Sequence, residues 1–264
     1  MKNVKELFDL TGKVAIVTGG RGLYGTSISR GLAEAGATVV IASRNSEKCR
    51  ELAEELGRGA VGLSLDLSSD ASITKLVEDV IARFGRIDIL VNNAVDRSNL
   101  TSLDNATREK LQDSVNTNLT GQLLLSQAVI PYMKVAGGGS IINISSMRGL
   151  DCPHFPFYPE SMREQPVNYT TEKWAMEGMT RFMAGRYGRD GIRVNSIAPG
   201  GFNPSLAGAS GDGRKFTETY IENCPLGKWA GEDDIKGPVV FLASDASGYV
   251  TGATLVMDGG WTIW

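Results

Sequence analysis

The run Val14-Ala15-Ile16-Val17 leads into Thr18-Gly19-Gly20-Arg21-Gly22-Leu23-Tyr24-Gly25 and then directly into a helical pattern. A buried strand that breaks on closely spaced glycines and re-forms at once as a helix leaves few folds open. The helix must turn back onto the sheet, with its N-terminus at the strand's carboxyl end. Glycine permits the tight turn and close backbone approach, and the free N–H groups of the first helical turn then face an anion. Read as Gly20-x-Gly22-x-x-Gly25, with Gly19 before it, the stretch predicts a pyrophosphate cradle for a dinucleotide.

The rest of the chain repeats the same alternation. Short β-rich runs are predicted at 14–18, 38–42, 61–65, 87–91, 140–144, 193–197 and 254–257, and helices near 24–36, 45–57, 69–84, 104–115, 119–136, 168–188 and 231–243. Ile87-Asp88-Ile89-Leu90-Val91 is nearly all apolar, as expected of a strand covered on both faces of a parallel sheet. The expected fold class is α/β: a Rossmann-type, doubly wound, seven-stranded parallel sheet with helices on both faces. No linker or repeat divides residues 1–264, so one domain is expected to hold both cofactor and catalytic groups. Two stretches break the pattern. Residues 148–167 carry four prolines and are expected to be an inserted substrate loop; residues 200–225 begin Gly-, Ser-, Asn- and Pro-rich and are expected to form a mobile lid.

Charge and composition exclude several functions. The net charge is −3 with no basic run, which argues against a nucleic-acid or anionic-membrane partner and for a small molecule. Cys49, Cys152 and Cys224 are widely spaced, so neither a disulfide framework nor a zinc site is expected, and a cytoplasmic location fits. His154 is the sole histidine and sits in the irregular loop, which disfavours a Ser-His-Asp hydrolase; no His pair or carboxylate cluster predicts a metal.

Strand two ends Ala42-Ser43-Arg44-Asn45, about 20 residues beyond the glycines, where NAD-binding folds usually place a carboxylate. A guanidinium there suits a 2′-phosphate through a charge-assisted fork, and Arg21 adds a second cation. NADP(H) is therefore expected over NAD(H). Further on, Tyr169-Thr170-Thr171-Glu172-Lys173 places a phenol and an ammonium four residues apart on one helix face. A cation beside a phenol stabilises the phenolate, which makes acid–base chemistry available.

Together with Asn92-Asn93-Ala94, Ser145-Ser146 and Ala198-Pro199-Gly200, each following a predicted strand, these motifs resemble the short-chain dehydrogenase/reductase family over nearly the whole chain. The resemblance implies that Tyr169 is the catalytic acid/base, that Lys173 holds the nicotinamide ribose, and that Ser146 hydrogen-bonds the substrate oxygen. Asn118 matches the asparagine that supports a water-linked proton path. Gly19, Arg21, Gly22, Leu23 and Gly25 would hold the pyrophosphate, and Ser43 and Arg44 the adenosine ribose. Asp66 and Leu67 would meet the adenine, Asn92 and Ala94 the adenosine side, and Pro199 and Gly200 the nicotinamide. The chain departs from the family at Leu23, at Val95, in the spacing of Ser146 and Tyr169, and after Gly200, where Ser205 stands near a usual threonine.

The implied activity is NAD(P)-dependent interconversion of a secondary alcohol and a ketone. Polar groups interleaved with rings in 148–167 suit a sugar, sugar acid or polyol, with Arg148, His154 or Arg163 as substrate contacts. The alternatives are a 3-oxoacyl thioester reductase and a catalytically silent cofactor sensor. Trp174, Met176, Met179, Phe182 and Met183 make the helix bearing Tyr169 apolar on more than one face, and with the tail Trp261 to Trp264 they point to a homotetramer or homodimer.

Overall fold

The computed structural model describes residues 1–204 and 209–263 of the chain. Its strands are β1 Val14–Thr18, β2 Thr38–Ser43, β3 Val61–Ser64, β4 Ile89–Asn92, β5 Gly139–Ile144, β6 Ile192–Pro199 and β7 Thr254–Met257. They form one sheet in the order β3-β2-β1-β4-β5-β6-β7, and every neighbouring pair is parallel. The order reverses between β1 and β4, which opens a crevice at the carboxyl ends of these strands. The glycine loop leaves β1 at that point.

The helices are α1 Val4–Phe8, α2 Leu23–Glu34, α3 Ser46–Leu56, α4 Asp70–Phe84, α5 Arg108–Val115, α6 Gly121–Val135, α7 Val167–Tyr187, α8 Gly211–Asn223 and α9 Lys236–Ala243. Side-chain caps start several of them: Asn45 accepts from Lys48 N–H, Ser69 from Ser72 N–H, and Thr107 from Lys110 N–H. Two cores sandwich the sheet. Ile16, Val40 and Leu90 pack with Leu76 of α4, Leu125 of α6 and Met176 of α7. Ala15, Val17 and Ile41 pack on the other face with Ile28 and Leu32 of α2, Leu52 of α3 and Val239 of α9. Consecutive residues of β1, β2 and β4 thus feed opposite cores, which is why these strands read as nearly unbroken apolar runs. Each fully buried Ile or Leu contributes about 2 kcal/mol. No helix among the described residues is long and apolar enough to cross a membrane.

The expected alternation holds, with differences at helix starts and in the irregular stretches. The helices predicted from 104 and 231 begin at Arg108 and Lys236, and the short α1 was not anticipated. Residues 211–223, inside the expected mobile stretch, are helical. Gly211, Asp212 and Gly213 are poor helix formers, so the sequence gives little signal there. Burial of Tyr220 holds α8 in place instead: its ring stacks on Trp261 (centroids 4.4 Å apart) and on Trp229 (4.1 Å). Met147, Cys224, Phe157 and Phe216 complete this third apolar cluster. The segment 148–167 joins it from the other side, where Tyr158 stacks on Phe216 at 5.1 Å and Ser161 Oγ donates to Asp212 Oδ2 at 2.5 Å.

Candidate active site

A cavity of about 640 Å³ runs along the carboxyl ends of β1 to β6. That size is ample for a small-molecule site. At one end it is lined by Gly19, Arg21, Gly22, Leu23, Ser43, Arg44, Lys48, Asp66 and Leu67; at the other by Ser146, Tyr169, Lys173, Pro199 and Gly200, with Ala94 between.

The glycine loop carries two overlapping spacings, Gly20-x-Gly22-x-x-Gly25 and Gly19-x-x-Gly22-x-x-Gly25, and Gly19 makes the turn. Gly19 takes φ +59°, and its carbonyl accepts from Gly22 N–H at 2.8 Å, closing the turn. A Cβ on Gly25 would lie 2.0 Å from that same oxygen, so only glycine fits. Gly20 instead packs inward, where a Cβ would meet Ile41 and Ser29 at 3.0 Å. The loop is further held by Asn93, whose Nδ2 donates to Thr18 O (2.9 Å) and Gly19 O (3.1 Å).

At the catalytic end Lys173 is buried, and its Nζ donates to Ile144 O at 2.7 Å and lies 5.7 Å from the Tyr169 ring centroid. Two of its three N–H donors stay available to a ligand. Burial draws its pKa down from 10.5 to about 8; the Glu172 carboxylate opposes this and the Arg97 guanidinium adds to it. Glu172 is buried too, with its carboxyl pushed up by desolvation, against the pull of hydrogen bonds from Ser114 Oγ (2.6 Å) and Asn118 Nδ2 (3.0 Å). Ser146 Oγ accepts from Arg148 N–H at 3.1 Å.

The donor set fits a dinucleotide. The α2 N-terminus and three cations, Arg21, Arg44 and Lys48, suit phosphates. Tyr24 stacks on Phe202 at 4.5 Å on the cavity wall, and its buried hydroxyl has no partner among the described residues, so a coenzyme amide or hydroxyl can satisfy it.

A family model described as enoyl-(acyl carrier protein) reductase matches residues 21–262. D-threitol dehydrogenase of Mycolicibacterium smegmatis is 37% identical over 262 residues, covering 97% of this chain and 95% of that protein. The chain belongs to the short-chain dehydrogenase/reductase family. The 2-dehydro-3-deoxy-D-gluconate 5-dehydrogenase of Escherichia coli is 35% identical over 98% of both chains. A gluconate 5-dehydrogenase from Burkholderia cenocepacia, solved with NADP and tartrate, superposes with a TM-score of 0.86 at 34% identity, covering 99% of this chain and 100% of that one.

Several expected site residues do not line the cavity. Asn92 does not face the cavity: it is fully buried, and its Nδ2 donates to Ser126 Oγ and Asn143 Oδ1, because the last residue of β4 points beneath α6. Asn93 and Ala94 line the cavity instead. Asn118 lies on the π turn Asn116–Thr120 between α5 and α6 and is buried; its side chain accepts from Asp96 N–H (2.7 Å) and donates to Asp96 O (2.9 Å). Its amide therefore clamps the loop after β4, and Thr117 takes the place on the wall. Arg148 is buried and spent on its own loop, donating to Cys152 O (2.9 Å) and Tyr158 Oη (2.7 Å). Arg163 donates to Tyr158 O, and His154 packs on Phe157 at 3.8 Å; neither lines the cavity. Proline-rich loops without regular hydrogen bonding consume their own polar side chains in this way. Ser205 lies outside the described residues.

The sequence reading also missed cavity residues: Tyr24, Lys48, Asp96, Arg97 and Phe202. Asp96 and Arg97 carried a signal, since they directly follow Asn92-Asn93-Ala94-Val95.

Proposed function

We propose that the protein is an NADP(H)-preferring oxidoreductase that interconverts a secondary alcohol and a ketone on a sugar, sugar acid or polyol. The observation that carries this is the shared cavity: Ser146, Tyr169 and Lys173 at one end, the glycine loop and Arg44 at the other. Bound NADPH would supply the hydride. In the reductive direction the Tyr169 hydroxyl gives its proton to the carbonyl oxygen, while Ser146 Oγ–H donates a hydrogen bond to that oxygen as charge develops. Lys173 orients the ribose through its free donors and keeps positive charge beside the phenol. Asn118 acts on this site through the Asp96 loop and through Glu172, next to Lys173.

The catalytic end also holds Arg97, whose side chain makes no hydrogen bond or ion pair among the described residues yet bears on Lys173 electrostatically. It can meet a substrate carboxylate, the role first given to Arg148 and Arg163. The relatives' names, which specify threitol and gluconate-type substrates, support the same polar class. The test is coenzyme oxidation across aldonates, polyols, keto sugars and 3-oxoacyl thioesters, with NADPH and NADH in parallel. Turnover of keto sugars or keto acids with NADPH is expected; reduction of the thioester alone would sink the substrate class.

Trp174 and Phe182 on α7 are 52% and 73% exposed, which supports a homotetramer or homodimer that covers them. Light scattering that returns a monomer mass would exclude it. All three cysteines are unpaired, which supports a reducing compartment such as the cytoplasm.

A further inference from the structure

Arg44 Nη1 donates to Asp96 Oδ2 at 2.8 Å. Arg44 follows β2 and Asp96 follows β4, and these strands flank β1, so the ion pair reaches across the end of the strand from which the glycine loop leaves. Both side chains line the cavity. We propose that Asp96 is a specificity-determining residue of the coenzyme cleft, whose carboxylate competes with a 2′-phosphate for the Arg44 guanidinium. This rests on the coenzyme reading above.

The two partners differ in freedom. Asp96 is fixed: its Oδ1 accepts from Ser98 N–H (2.9 Å) and Ser98 Oγ (2.7 Å), its backbone is clamped on both sides by Asn118, and its side chain is 18% exposed. Arg44 is long, and its side chain is 68% exposed. When an anion enters, the guanidinium moves and the carboxylate stays. A phosphate monoester offers more charge than a carboxylate and three acceptor oxygens, so it can win the guanidinium. It does so against a fixed negative charge at Asp96, with Asp66 a further carboxylate on the same wall. A ribose with a free 2′-hydroxyl leaves the Arg44–Asp96 pair intact. Asp96 therefore narrows the margin by which this cleft prefers the phosphorylated coenzyme, and the absence of a carboxylate at the end of β2 is partly offset by one brought in from β4.

The test is calorimetric binding of 2′,5′-ADP and 5′-AMP to wild type, Asp96→Asn, Arg44→Ala and the double variant, with Asp96→Ser as a second replacement that keeps a polar side chain. Asp96→Asn is expected to tighten 2′,5′-ADP about fivefold, as loss of a partly exposed competitor predicts, and to leave 5′-AMP within about twofold. With Arg44 replaced by Ala, the gain is expected to fall below about twofold. Unchanged 2′,5′-ADP affinity in both Asp96 variants would overturn the proposal, as would equal tightening of both nucleotides or a gain that survives in full without Arg44. Wild-type affinity for 2′,5′-ADP no better than for 5′-AMP would instead remove the NADP preference. That result is read from wild type alone and is distinguishable from the effect of Asp96.

Discussion

On the coenzyme side of the cleft, the groups that face the cavity sit within a few residues of strand ends: Gly19 after β1, Arg44 after β2, Asp66 after β3, Ala94 and Asp96 after β4. In a second region, residues 148–167, α8 and the turn at Trp261–Ile263 are joined without pairing into the sheet. They are joined by the rings of Phe157, Tyr158, Phe216, Tyr220, Trp229 and Trp261. The first side is set by backbone geometry, and the second by side-chain packing among distant segments. A single substitution should accordingly damage one side and spare the other.

Tyr169→Phe should have the largest effect. Removing the acid/base group is expected to cost about 10³-fold in turnover while coenzyme affinity, followed by fluorescence titration, stays within about twofold. Equal loss in both would mean that the two ends of the cavity are not separable. Trp261→Ala removes the ring stacked on Tyr220 and is expected to destabilise this aromatic cluster by about 3 kcal/mol. Thermal unfolding should register it, and KM for the carbonyl substrate should rise with 2′,5′-ADP affinity unchanged. Gly25→Ala tests the opposite side. The new Cβ meets the Gly19 carbonyl, and the overpacking is expected to cost about 2 kcal/mol, read as weakened nucleotide binding.

The smallest effects concern protons. Lys173 should give the reductive kcat/KM profile a falling alkaline limb near pH 8, where burial has placed its pKa. Glu172→Gln removes the main interaction that holds this value up, so the limb should move to lower pH; a limb that stays in place would show that Glu172 acts through packing alone. Stability carries the same signature. Because the folded-state value lies below 10.5, the folded chain binds fewer protons than the unfolded chain between about pH 8 and 10.5. This residue therefore makes stability rise with pH across that window, and Lys173→Met should abolish the rise.

The legible parts of the sequence share a physical basis. Strand and helix periodicity recovered all seven strands: β1, β2 and β4 lie between two cores and are nearly all apolar, and the partly exposed edge strands β3 and β7 keep short β-rich runs. The glycine loop was legible because its turn excludes side chains, although the sequence alone left its register ambiguous between Gly19 and Gly20. Ser146, Tyr169 and Lys173 were named from motifs, and the fold brings all three to one cavity. Arg148 could not be read correctly, because nothing in the order of residues tells a guanidinium aimed at a ligand from one that ties its own loop together. Asn92 and Asn93 were hard to tell apart for a similar reason, since adjacent residues at a strand end face opposite directions.

By itself, then, the sequence determined the layer order, the phosphate cradle and the residue types available for catalysis, because these follow from local backbone geometry and the period of burial. Only the tertiary structure decided which charges meet. Arg44 finds Asp96, 52 positions away, because the parallel sheet gathers the carboxyl ends of its strands at one edge. Pairings between charges far apart in sequence depend on that gathering, and no local pattern encodes them.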